Sequence, residues 1–208
     1  MRNKGFLLSN TPDKTLYDEY IYTDSNVLLD VFDVARPGHI ASKQFLSNIY
    51  SSDNVLLVYS AHTLEEIKKV IRENISNTTY PKKGAFRNLN QSEKSIVSEM
   101  AQEEYEKILK IFNPVAEQAD YNSLSIMDNS IKISKAFDNK VHDEDAKHLA
   151  VMRENGINSI ATSDKELFNH TKGLNVYGSN KSIIHHQNTF NDNSLNSFET
   201  FNSLIEKF

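Results

Sequence analysis

Apolar residues along the chain fall into two kinds of run. Short, nearly continuous stretches occupy residues 20–23, 55–59, 157–162 and 174–177. Their length and their β-branched or aromatic content predict strands. The run Val55-Leu56-Leu57-Val58-Tyr59 has no polar alternation, which predicts a strand buried on both faces. Elsewhere apolar positions recur every three or four residues, the spacing of an amphipathic helix. Residues 61–74 carry Leu64, Ile67, Val70 and Ile71 on one side, and residues 92–112 carry Val97, Met100, Ile108, Ile111 and Phe112. Further helices are predicted at 124–137, at 143–155 with Gly156 as the stop, and at 165–170. Val27 to Phe32 leads into another helical region, broken at Pro37-Gly38 and resumed over 39–50. Residues 1–18, with a Thr11-Pro12-Asp13 turn signal, read as a polar lead-in, and 75–92, with Pro81 and Gly84, as a loop. Strands alternating with helices predict a parallel sheet covered by helices, an α/β sandwich.

The last helix, from Ser194, carries Leu195, Phe198, Phe201, Leu204, Ile205 and Phe208. Such a stripe is expected to dock on its own domain; the alternative is a homodimer or protein-partner interface.

The 208 residues include no cysteine, which excludes disulfide frameworks, thiolate zinc sites and cysteine nucleophiles. No Gly-rich phosphate loop and no G-x-S-x-G elbow is present. The N-terminal apolar stretch is too short for a signal peptide and no run is long enough to span a membrane, so the chain reads as soluble and cytoplasmic. A net charge of −5 gives weak overall attraction to nucleic acid, so such binding needs a local basic patch. Lys82, Lys83, Arg87 and Lys94, interleaved with Tyr80 and Phe86, form the most basic stretch. They are either a solvated loop or a phosphate-contacting, RNA-binding edge. The adjacent His185-His186 would point opposite ways on an extended chain and make a poor zinc pair, and His148 reads as a packed or half-exposed histidine rather than a general base.

Acidic residues change the picture by where they fall. Asp24 ends the first predicted strand, Asp164 follows the strand that ends at Thr162, and Glu66 lies in the first turns of the helix after 55–59. Open α/β sheets bind ligands outside the carboxyl ends of their strands, where all three sit. Helical angles select Glu66 over Glu65 as the acid nearer the buried face, and Asp145 over Asp143 and Glu144. Each alone has an ordinary explanation, such as an N-cap for Asp24 or Asp164. Two carboxylates about 5 Å apart, however, repel by roughly 3 kcal/mol at an effective dielectric near 20. Four together call for a cation, and hard oxygen donors suit Mg²⁺ or Mn²⁺.

Four segments carry a family resemblance: Thr23-Asp24-Ser25-Asn26-Val27-Leu28-Leu29-Asp30, Thr63-Leu64-Glu65-Glu66-Ile67, Asp145-Ala146-Lys147-His148-Leu149-Ala150 and Ala161-Thr162-Ser163-Asp164-Lys165-Glu166-Leu167-Phe168. In this order, on these elements, they resemble the PIN-domain nucleases over roughly residues 19–180. The resemblance implies a three-layer sandwich on a parallel sheet of four or five strands; the chain is expected to be a single domain over 1–208 that departs from the family's motif set by a helical insertion at about 75–140 and a C-terminal extension over 181–208. It implies Asp24, Glu66, Asp145 and Asp164 as catalytic, metal-binding acids for one or two Mg²⁺ or Mn²⁺ ions. Asn26 would support the first, and Thr162 would orient the last through its hydroxyl. The implied activity is metal-dependent cleavage of phosphodiesters, RNA rather than DNA, and many bacterial members are VapC-type toxins held by an antitoxin protein. The alternative is a non-catalytic RNA-binding or scaffold module on the same fold.

Overall fold

A computed structural model describes residues 5–8, 17–168, 170, 171, 173–179, 181 and 198–207. The turn signal at Thr11-Pro12-Asp13, the His185-His186 pair and the predicted helix start at Ser194 lie outside them. The chain divides into two compact units, residues 62–114 and the remainder.

The larger unit is built on a six-stranded sheet whose pairs are all parallel. In chain order the elements are β1 (Gly5–Leu7), β2 (Tyr20–Thr23), α1 (Ser25–Phe32), α2 (His39–Tyr50), β3 (Leu56–Tyr59), β4 (Ala116–Gln118), α5 (Ser123–Ala136), α6 (Asp143–Glu154), β5 (Ser159–Ala161), α7 (Lys165–Phe168), β6 (Asn175–Gly178) and α8 (Phe198–Ile205). Two helices, α3 (Ala61–Thr79) and α4 (Gln91–Phe112), enter the chain between β3 and β4 and make up most of the other unit. The expected parallel α/β architecture is present, but with six strands instead of four or five. Of the two additional strands, β1 lies on the short apolar run Phe6-Leu7-Leu8 inside the predicted lead-in, and β4 has no apolar signature. β1 is a three-residue edge, and β4 is the opposite edge, Ala-Glu-Gln, with only Ala116 buried. A strand covered on few sides carries few hydrophobic residues, so β4 was hidden within the predicted helical insertion.

Successive side chains on a strand point to opposite faces, and both faces of this sheet are covered. On one, Tyr22, Val58, Ile160 and Val176 join a core with Ile126 and Ile133 of α5, Leu149 and Met152 of α6, Phe168 of α7, and Phe201 and Ile205 of α8. On the other, Tyr177 stacks on Phe6 at 5.1 Å and on Tyr17 at 5.7 Å, with Phe45 of α2 at 6.0 Å. The result is a three-layer sandwich. Helix α8 docks on its own domain through Phe201 and Ile205, both buried.

In the smaller unit, α3 (Ala61–Thr79, beginning one residue before the unit) and α4 (Gln91–Phe112) flank a 3₁₀ turn at Phe86–Asn88. Helix α3 runs past its predicted end. Ser76 Oγ donates to the Gly84 carbonyl at 2.6 Å, and the Phe86 amide donates to the Glu73 carboxylate at 3.0 Å, so the turn is tied back to the helix. Helix α4 starts in a capping box, Asn90 accepting from the Glu93 amide while Glu93 accepts from the Asn90 amide. Its buried line is Val97, Ala101, Tyr105, Ile108 and Phe112; Met100 and Ile111, expected on that line, are exposed. Among the described residues no helix is long and apolar enough to cross a membrane.

Candidate active site

The strand order β1-β6-β5-β2-β3-β4 reverses direction between β2 and β5. The chain leaves β2 toward β3 and β4 on one side and later returns to β5 and β6 on the other. At such a switch point the following connections part, opening a crevice at the carboxyl ends of the two strands. Asp24 follows β2 directly, and Thr162, Ser163 and Asp164 follow β5. The Asp24 amide donates to the Ala161 carbonyl at 3.0 Å, which continues the β2–β5 ladder to this edge.

Asp24 is the N-cap residue of α1, yet its side chain makes no capping hydrogen bond. The carboxylate is only 3% exposed and is held by neighbouring side chains. Oδ2 accepts from Thr162 Oγ1 at 2.8 Å and from Asn26 Nδ2 at 3.3 Å, and Oδ1 accepts from Ser25 Oγ at 3.3 Å. Thr162 Oγ1 in turn accepts from the Asp164 amide at 3.0 Å, so its proton is directed at Asp24. The hydroxyl expected to orient Asp164 therefore clamps Asp24 and fixes the Asp164 backbone. Asp164 uses Oδ1 to accept from the Glu166 amide at 2.7 Å, capping α7.

Asp145, in the first turn of α6, is half-buried; Asp143 is exposed and Glu144 pairs with Lys147 at 3.0 Å. Burial raises the Asp145 carboxyl from 3.8 to about 6, and the negative charges of Asp164 and Asp24 add to that rise while His148 opposes it. Three of the predicted acids thus share one electrostatic environment at the switch point. An open cleft of about 660 Å³ beside Asp164 is lined by Asn26, Arg36, Ser163, Lys165 and Ser179. A second, of about 670 Å³ beside Asp145, is lined by His142, Asp143, Glu166 and His170.

Two supporting networks carried no motif signal. Arg36 donates through its guanidinium to Asn26 Oδ1 at 3.0 Å and through Nε to Asp30, linking the Asp24 support to the chain break at Pro37-Gly38. Gly38 is required there, since a Cβ would stand 1.8 Å from Asp30 Oδ2. Behind Asp24, Tyr22 Oη lies 2.8 Å from both Ser60 Oγ and His148 Nδ1. His148 is packed, as expected, at 2% exposure, with Nε2 3.9 Å from Asp24 Oδ1. No spacing rule could have joined Tyr22 to His148, because they are 126 positions apart.

Glu66 and the basic residues belong to the smaller unit. Glu66 is partly exposed on α3 with His62 Nε2 at 3.5 Å on the same helix, and Glu65 is exposed. Lys83 Nζ is neutralised by both carboxylate oxygens of Glu93, at 2.5 and 2.6 Å. Lys94 lies 6.0 Å from the Phe86 ring centre, with Arg72 at 5.1 Å from the same ring, and Lys82 and Arg87 are exposed.

No curated protein matches the chain. The PIN domain family matches residues 21–174, a span that begins in β2 and ends beside β6. With the match covering most of the sequence and the parallel sheet presenting acids at its switch point, the chain belongs to the PIN domain family, whose members are generally nucleases.

Proposed function

We propose that the protein is a metal-dependent endoribonuclease, with Asp24, Asp145 and Asp164 holding Mg²⁺ or Mn²⁺. The observation that carries this reading is the tie of Asp24 and Asp164 through the Thr162 hydroxyl at the β2–β5 edge. The lift of the Asp145 carboxyl, by burial and by the charges of Asp164 and Asp24, supports the third acid. The donor set fits a hard divalent ion: Asp24 is preorganised by Thr162, Asn26 and Ser25, and the repulsion among the acids is what a bound cation offsets. Such an ion, when bound, activates water and neutralises charge on the phosphoryl oxygens. The chain's own residues do the rest. Thr162 bonds both the Asp24 carboxylate and the Asp164 amide and so ties the two together at the β2–β5 edge. Lys165 lines the cleft beside Asp164, where a phosphate backbone needs positive charge, while the Arg36 charge there is paired with Asp30.

A toxin role with an antitoxin partner fits the same edge. A basic side chain supplied by such a partner would compete with the metal for these carboxylates.

The test is cleavage of a mixed RNA pool by EDTA-stripped protein with Mg²⁺ or Mn²⁺ restored. Asp24→Asn is expected to remove nearly all metal-dependent cleavage while circular dichroism shows the fold retained. Wild-type cleavage by that variant would falsify the reading. Stabilisation by metal with no cleavage would favour a non-catalytic binding module.

A further inference from the structure

The turn that joins α3 to α4 carries charge that the acid site does not use. Residues 72–94 hold five basic residues, Arg72, Lys82, Lys83, Arg87 and Lys94, against the two acids Glu73 and Glu93, a net of +3 on a chain whose total is −5. Both acids are engaged inside the turn: Glu73 accepts from the Phe86 amide, and Glu93 accepts from Lys83 and from the Asn90 amide. Lys82 and Arg87 are exposed and have no acidic partner among the described residues.

A basic loop is an ordinary solvated segment when its side chains hang from a loose backbone. This backbone is tied down. Ser76 Oγ donates to the Gly84 carbonyl at 2.6 Å, Phe86–Asn88 form a 3₁₀ turn, and the Asn90–Glu93 capping box follows at once. The Phe86 ring also gathers two of the cations, with the Arg72 guanidinium 5.1 Å and the Lys94 ammonium 6.0 Å from its centre. Arg72 Nε is buried with no hydrogen-bond partner among the described residues, so an aromatic face, not an acid, holds that charge. No exposed large hydrophobic residue lies between 72 and 94. Protein hot spots and membrane-surface helices both depend on such side chains, whereas a phosphate backbone needs only cations on a fixed scaffold.

We infer that this turn is a nucleic-acid contact surface, with Arg72, Lys82, Arg87 and Lys94 binding the phosphate backbone of a single strand. The surface lies within the smaller unit, needs no metal, and goes beyond the cleavage reading above, since it binds whether or not the acids cut.

The experiment uses the full chain in EDTA and reads fluorescence anisotropy of a labelled oligouridine RNA across a salt series. Each phosphate contact should contribute about 0.7 to the slope of log K against log salt. Lys82→Gln with Arg87→Gln removes two exposed charges; it should weaken binding roughly tenfold at about 0.1 M salt and flatten the slope, with the melting temperature unchanged. Lys107→Gln with Lys110→Gln removes the same charge near the other end of α4 and should leave affinity and slope close to wild type. Glu93→Gln keeps an acceptor for the cap but releases Lys83, so it should tighten binding and steepen the slope, which a solvated loop would not do. Oligothymidine DNA run in parallel separates the sources: equal binding assigns the contacts to phosphate alone, and a preference for RNA adds its 2′-hydroxyl. Absence of RNA binding, or equal losses in the two double variants, overturns the inference. So does binding to phosphatidylserine vesicles that Lys82→Gln with Arg87→Gln abolishes while RNA binding persists. Metal-dependent cleavage in a protein that fails these tests leaves the nuclease reading standing, and charge-dependent RNA binding without cleavage keeps this surface and removes that reading.

Discussion

Asp145→Asn is expected to stabilise the metal-free protein, an unusual outcome for a residue at a functional site. The carboxyl titrates at about 6 when folded against 3.8 as its ordinary value, chiefly through burial and then through Asp164. The folded state therefore holds this proton more tightly than the unfolded state. The group's contribution to stability falls as pH rises from about 4 to about 6 and stays low above that. The full displacement corresponds to about 3 kcal/mol. Asp145 is partly open to solvent, however, which screens the interaction, and a gain of about 1–2 kcal/mol is the reasonable scale. For a chain of this size that is about 2–8 °C in melting temperature.

The assay is thermal unfolding followed by circular dichroism in EDTA at pH 7.5 and pH 5.0, wild type against variant. At pH 5.0 the wild-type carboxyl is mostly protonated, so the advantage of Asn should shrink to roughly half. Saturating Mn²⁺ should reverse the order, because only the wild type retains the carboxylate that the cation stabilises. A variant less stable than wild type in EDTA at pH 7.5, or an advantage equal at both pH values, would refute the reasoning.

Other substitutions probe the scaffold around the acids. Thr162→Val removes the donor to Asp24 and the acceptor of the Asp164 amide; about 1–3 kcal/mol of stability should be lost in urea titration, together with most metal-dependent cleavage. Gly38→Ala drives a methyl into the Asp30 carboxylate and should lower stability by about 1–3 kcal/mol, again read in urea, with metal affinity falling through the Arg36–Asn26 link. Asn90→Ala breaks the capping box of α4 and should cost about 1 kcal/mol in thermal unfolding without altering metal affinity.

Legibility in the sequence followed the amount of local information each element carried. Tyr20–Thr23 and His39–Tyr50 have the predicted bounds, one a short β-favouring run stopped at Asp24, the other a helix that restarts after Pro37-Gly38. Gly156, at φ +65°, ends the chain's turn out of α6 as a glycine stop should. The edge strand β4 was invisible because only one of its side chains is buried, and the Phe6-Leu7-Leu8 run of β1 was too short to separate from a lead-in. Helix α3 outran its predicted end because its last residues, poor helix formers such as Asn77 and Thr79, are held by contacts from the turn that follows. The Asn90-x-x-Glu93 box was legible in principle and would have set the start of α4. At the site, residue type and position beside a strand were enough to nominate Asp24 and Asp164. What joins them was not readable: the direction of the Thr162 hydroxyl, the approach of Gly38 to Asp30, and the meeting of Tyr22 with His148 depend on how distant segments pack.

The three acids at the switch point are not equivalent, and the difference follows from their surroundings. Asp24 is almost fully buried but accepts from three side-chain donors, so its negative charge is compensated within the fold. Asp164 directs one oxygen to the start of α7, where backbone amides favour a carboxylate. Asp145 is pushed upward by burial and by both of these charges, and His148 and, to a smaller extent, His142 pull in the other direction. A cation placed among them would therefore gain most beside Asp145, whose charged form burial and its neighbours disfavour. Rigid support belongs to Asp24 and the strain of crowding to Asp145. That division explains how a folded chain can hold a strongly negative edge ready for metal: the donors keep the geometry fixed, and the least compensated carboxyl takes up a proton only as the pH falls to about 6 and below.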